Sequence, residues 1–203
     1  MADDDAVSWQ DTDAGWDKAV LALKSLSAHK ITVGVHGGNE PHAPGSPITK
    51  ARLAAVHEFG ATIKHPGGTP YKMVDGKPVF LKKGTPGATG VTKPHTIKIP
   101  ARSFLRATVD ENMDKIQAMI SDEINALVAG TRKAEQSADR MGMLVQGMIQ
   151  KRIADGIGPA LKAATIRRKG SDKALVDTGE LKSDITWKVT TAGAVPVETT
   201  KVA

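Results

Sequence analysis

The chain has 203 residues, 40% hydrophobic but only 3% aromatic, and 28 Lys+Arg against 22 Asp+Glu give it a net charge of +6. That length holds one ordinary domain, or one domain with extended arms, around a modest aliphatic core. The lack of cysteine excludes a disulfide framework and a Cys-ligated metal. No apolar stretch approaches the roughly 18 residues that cross a bilayer, and the acidic start Met1-Ala2-Asp3-Asp4-Asp5 lacks the apolar run of a secretory signal.

In chain order, Asp13 is placed to cap a helix in which Trp16, Val20, Leu23 and Leu26 form one apolar stripe. The β-branched run Ile31-Thr32-Val33-Gly34-Val35 predicts a strand, and the Gly/Pro-rich residues 37–47 a loop. Thr49 opens a short helix carrying Leu53, Val56 and Phe59, which Gly60 ends as a left-handed cap. Residues 64–98 are the least core-like part. Tyr71 to Leu81 reads as a hairpin, since Asp75-Gly76 supplies both positive-φ positions of a type I′ turn. Pro78 cannot donate to a ladder, so the hairpin belongs at a sheet edge or projects outward. Ser103 is placed to cap the longest helix, whose seam is Leu105, Val109, Met113, Ile116, Ile120, Ile124 and Leu127, with Ile116 and Ile120 buried. Ser137 would cap a second helix with Met141, Leu144, Val145, Met148, Ile149 and Ile153 inward, broken at Gly156, Gly158 and Pro159. Residues 160–180 are basic and polar, 184–189 alternate as a strand, and Val195-Pro196-Val197 begins a weak tail.

These elements make an α+β fold. A small, mostly antiparallel sheet from strands near 31–36, 71–81 and 184–189 packs on two long helices, with a projecting β-hairpin loop. The division is 1–30 as a helical arm, 31–190 as the main domain with 64–98 as an inserted loop, and 191–203 as a tail.

Several motifs invite chemistry. His57-Glu58 suggests a zincin, but the required second His, four residues on, is Ala61, beyond the helix end. His65 and His95 can approach each other without a carboxylate to complete a ligand set. Leu175-Val176-Asp177-Thr178-Gly179 carries the Asp-Thr-Gly of aspartic proteases, yet only 26 residues follow Asp177 and Glu180 adds like charge beside a would-be dyad. A turn or cap, with Gly179 at positive φ, accounts for it better. The Gly-rich run 84–90 lacks a P-loop ending. Lys151, Arg152, Lys162, Arg167, Arg168, Lys169 and Lys173 make the carboxy-terminal third basic without interleaved aromatics.

Three motifs in order carry a family likeness. They are Leu53-Ala54-Ala55-Val56-His57-Glu58-Phe59-Gly60, then Ile99-Pro100-Ala101-Arg102-Ser103-Phe104-Leu105-Arg106, then Leu175-Val176-Asp177-Thr178-Gly179-Glu180-Leu181-Lys182-Ser183-Asp184-Ile185. Over roughly residues 30–190 the chain resembles the virion-morphogenesis proteins of tailed bacteriophages, the neck or tail-completion family. The resemblance implies a non-enzymatic virion protein, made in the host cytoplasm. It would form a homo-oligomeric ring, a hexamer, that joins the head-side connector or adaptor to the tail tube or its terminator. It implies no catalytic residue, cofactor, metal or membrane, and non-specific contact with packaged DNA. Tyr71, Met73, Val79, Phe80, Leu81, Arg102 and Phe104 are the expected subunit contacts. Lys151, Arg152, Arg167, Arg168 and Lys169 are the expected channel- or polyanion-facing residues. The rivals are a tail terminator, an Asp177 protease and a basic DNA-binding module.

Overall fold

The computed structural model describes residues 14–36, 38–176 and 179–191. Asp13, Asp177, Thr178 and Val195-Pro196-Val197 lie outside the described residues, as does the side chain of Arg168.

The architecture is α+β, built from helices and small antiparallel sheets. The body begins with α1 (Ala14–Ser27) and β1 (His29–Val35) and closes with β7 (Ile185–Thr191). β1 and β7 pair antiparallel, with Val33 opposite Trp187 and Val35 opposite Ile185. The long helix α5 (Ala134–Asp155) lies against this ribbon. It turns Ala138, Met141, Gly142, Ile149 and Ile153 inward at helical spacing. Gly142 is required by packing: a Cβ there would lie 2.5 Å from the Trp187 ring. That ring is fixed in turn by Nε1, which donates to Asp139 Oδ1 at 3.1 Å. Ile149, Ile153 and Ile185 pack with Ala54 and Phe104 as the core, and Val33, Val35, Leu105 and Leu181 lie around them.

α2 (Lys50–Phe59) starts where the Thr49 hydroxyl accepts from Arg52 N at 3.2 Å. It stops at Gly60, whose φ of 73° and ψ of 172° are extended rather than left-handed helical. A Cβ on Gly60 would sit 2.8 Å from Ala101 N and from Ile99 O, so glycine is needed for the close approach.

The expected single long helix is two. α3 (Arg106–Glu111) and α4 (Met113–Val128) are separated by Asn112, at φ −119° and ψ 20°. The Asn112 side chain donates to Thr108 O at 2.8 Å, a local bond that competes with helix continuation. α4 rests on α1 and α5 but not on the β1–β7 ribbon, so its seam is only partly covered. Ile116 is half-buried and Ile120 is 38% exposed, whereas Leu127 and Glu123 are buried. Leu144, expected inward, is exposed as well. α5 begins one turn before the expected Ser137, which is buried within it, and Gln136 Oε1 accepts from Lys133 N at its start. Two short helices, α6 (Ala163–Lys169) and α7 (Glu180–Asp184), complete the body, and Gly179 takes the expected positive φ, 84°.

The 71–81 hairpin does not join β1 and β7. It belongs to an arm built from β2 (Ala61–His65), β3 (Pro70–Val74), β4 (Lys77–Phe80), β5 (Gly90–Val91) and β6 (His95–Ile99). β2 and β6 form a two-stranded stem, and β4-β3-β5 a three-stranded tip. Gly68 N donates to Thr92 O and Thr92 N to Thr69 O, at 2.8 and 2.9 Å, and these bonds link the two pieces. Asp75 and Gly76 turn the hairpin with φ of 50° and 73°, as their sequence predicts. Among the described residues, these strands make no substantial contact with the helices or with the β1–β7 ribbon.

Candidate functional site

The site has three parts: a clamp at the root of the arm, the arm itself, and a basic cleft beside the clamp. The clamp is Glu58, 4% exposed, one residue before the end of α2. Its carboxylate accepts from the backbone N–H groups of Phe104, Leu105 and Arg106 at 2.8, 2.9 and 3.1 Å, and from the Ser103 hydroxyl at 2.6 Å. Those N–H groups are orphan donors at the start of α3, so a buried anion both satisfies them and meets the positive end of a helix. Burial by itself would push the Glu58 carboxyl up. The Leu105 N–H, the Ser103 hydroxyl and the N–H groups of Arg106 and Phe104 outweigh it and hold the carboxyl below its usual range. His57 O accepts from Arg102 N at 2.7 Å, a further tie between the same two segments.

The arm is two-faced. Opposite partners in an antiparallel ladder share a face, and successive residues alternate. In the stem, Ile63 lies opposite Ile97, Ala61 opposite Ile99 and His65 opposite His95. The two imidazoles stack with centroids 4.8 Å apart. In the tip, Tyr71 lies opposite Phe80 and Met73 opposite Pro78. Ile63, Met73 and Ile97 are exposed, and Phe80 is 62% exposed. Phe59, at the root of the arm, is exposed too, beside an open groove formed with Gly60, Ala61, Lys98 and Ile99. So many exposed apolar side chains on one segment mark a surface for a partner.

The cleft, about 560 Å³, is lined by His42, Lys50, Leu53, His57, Arg102, Lys169, Leu175, Glu180 and Asp184, among others. Lys50 is held by Asp184 and Glu40. Burial, and then the charges of Arg102, Lys169 and His42, push the His57 imidazole below its usual pKa. No group of three His, Asp or Glu among the described residues is arranged to hold a metal ion.

The expected contact residues therefore divide. Met73, Val79 and Phe80 are exposed on the arm, and Tyr71 and Leu81 are half-buried there. Phe104 is 0% exposed and belongs to the core, and Arg102 is buried, with Nη2 donating to Pro159 O at 3.0 Å. Neither can meet another subunit directly. Of the expected polyanion-facing residues, Arg152 is half-buried, paired with Glu111 and donating to Ser103 O. Lys151 is paired with Asp155, Lys169 donates to Lys173 O from the cleft wall, and Arg167 is exposed. The sequence reading missed Glu58 as a clamp and Ile63 and Ile97 as arm residues. The signal for the second was present: Thr62-Ile63-Lys64 recurs as Thr96-Ile97-Lys98, two alternating triplets that pair in register.

Comparisons with protein-family models, with curated proteins and with solved structures find no match.

Proposed function

We propose that the chain is a non-enzymatic structural protein of a tailed-phage virion. Copies assemble as a ring in the neck and join the head-side connector to the tail tube. The observation that carries this is the arm. Its exposed apolar side chains lie outside the buried core, so their stabilising partner is another molecule. A ring of identical copies supplies such partners through a repeated head-to-tail contact. The three sequence motifs supply the neck assignment, and two of them meet in the Glu58 clamp that roots the arm. No helix among the described residues is long and apolar enough to cross a membrane.

The test is complementation of a phage lacking this protein. Ile63→Ser with Phe80→Ser should leave the purified chain folded, yet heads and tails should accumulate unjoined. Joined particles at normal yield would sink the assignment of the arm as the joining surface.

A further inference from the structure

The second face of each ladder of the arm has different chemistry. In the stem, Thr62 lies opposite Lys98 and Lys64 opposite Thr96, so two lysines and two threonines share the face away from the isoleucines. In the tip, Lys72 and Lys77 share a face with Val74 and Val79, away from Tyr71 and Phe80. Lys82, Lys83 and Lys93 lie in the connecting loops. All seven lysines are exposed, and none makes an ion pair with a described residue. The only acid in the arm is Asp75. Of 28 basic and 22 acidic residues the arm takes seven and one, so the rest of the chain has 21 of each and no net charge.

We propose that the lysines of the arm bind the phosphate backbone of double-stranded DNA without regard to sequence, while its exposed apolar side chains seat on protein. This deepens the neck assignment and rests on it. Outside the arm a second copy has no net charge, and its acidic stretch, Asp3 to Asp13 with five aspartates and no base, is the rival partner that polyglutamate represents in the titration. In a ring the arms would also repel one another unless an external polyanion screened them. The arm has no arginine. Lysine is a point charge that accepts phosphates from many directions, whereas the arginine fork suits a fixed, bidentate partner such as a carboxylate. Tyr71 and Phe80 lie on the face of the tip away from Lys72 and Lys77, so those lysines have no stacking platform beside them for single strands. The basic carboxy-terminal third is a weaker candidate, since Lys151, Arg152, Lys169 and Lys173 are already engaged within the chain.

The experiment titrates the purified full-length chain with a DNA duplex of arbitrary sequence over a range of salt. Each neutralised phosphate contributes about −0.9 to the slope of log K against log salt. Changing Lys64, Lys72, Lys77 and Lys98 together to Gln should lower the magnitude of that slope by about 3 to 4 and weaken binding at low salt by at least about tenfold. Lys162→Gln with Arg167→Gln should change neither quantity. The duplex should protect the arm lysines from chemical acetylation. An unchanged slope in the fourfold variant would overturn the proposal. So would polyglutamate that protects the same lysines and displaces the duplex at equal charge, because the partner would then be an acidic protein. The two assignments fail separately. The lysine variant should keep the ability to form rings but lose DNA, and Phe80→Ser should keep DNA but lose rings. A lysine variant that loses rings and retains DNA binding would assign these lysines to the protein interface and leave the neck assignment standing.

Discussion

The body and the arm of this chain are stabilised in opposite ways. In the body, Phe104, Ile149, Ile153 and Ile185 are buried together, and α5 lies against the β1–β7 ribbon. In the arm, strands pair just as regularly, but no side chain is buried: Tyr71, Leu81 and Ile99 are half-buried, and its other large apolar side chains are exposed. Ladder pairing, the His65–His95 stack and a few bonds to Thr89 and Thr92 hold the arm together, and each hydrogen bond adds little net stability because it replaces one to water. The difference teaches that regular secondary structure is not evidence of a local core. A strand ladder can be a display surface whose burial is completed elsewhere.

Substitutions that act on one region and not on the other sharpen this contrast. The largest effect belongs to Ile153→Asp. An unpaired carboxylate at a site with no solvent access should leave the chain insoluble or unfolded, seen as lost helical circular dichroism. Next is Glu58→Ala, which strands three backbone donors at the start of α3. It should cost about 3–5 kcal/mol in urea unfolding, and Glu58→Gln should restore part of that.

The pH dependence follows with a definite sign. His57 and Glu58 both have folded pKa values below their unfolded ones, and so does Glu123 beside Arg132 and Arg140. The stability each contributes is present above its unfolded pKa and is lost as pH falls through its folded value. Melting temperature should therefore decline first below about pH 6.5, from His57, and more steeply below about pH 4.3, from the two carboxylates. Glu58→Gln should flatten the second decline.

Ile120→Asp is expected to cost only about 1 kcal/mol, because the side chain is already 38% exposed. Full unfolding of that variant would mean that α4 is covered in solution by another chain. The smallest effect on stability is Phe80→Ser in the arm, within about 0.5 kcal/mol in the isolated chain, although assembly should fail. A marked loss of stability there would erase the distinction between the regions.

Local signals in the sequence were read well where they act locally. Thr49 and Gly60 bound α2, Asp75-Gly76 turns its hairpin, and the alternating 184–189 segment became β7. Signals whose partners are distant were not legible. Glu58 reads as a polar residue at a helix end, and only the fold shows that its three donors lie more than 40 residues further on. The seam from Leu105 to Leu127 has faultless spacing, but spacing does not say how many neighbours will cover it. Residues 64–98 look like an irregular loop because Gly, Pro and Lys dominate them, and the stem depends on pairing between its two ends. Phe104, expected at a subunit contact, has its side chain in the core, a burial that its sequence neighbours do not reveal.

The pairing of Ala61 with Ile99 has one more consequence. The chain leaves the body and returns to it at the same place, so everything between is a detour. Its length, charge and tip can vary while the body's path stays the same, since Gly60 and the Glu58 clamp fix both ends of the excursion. A protein with this topology can be refitted to a different neighbour by rewriting one continuous stretch of sequence, with no renegotiation of its fold.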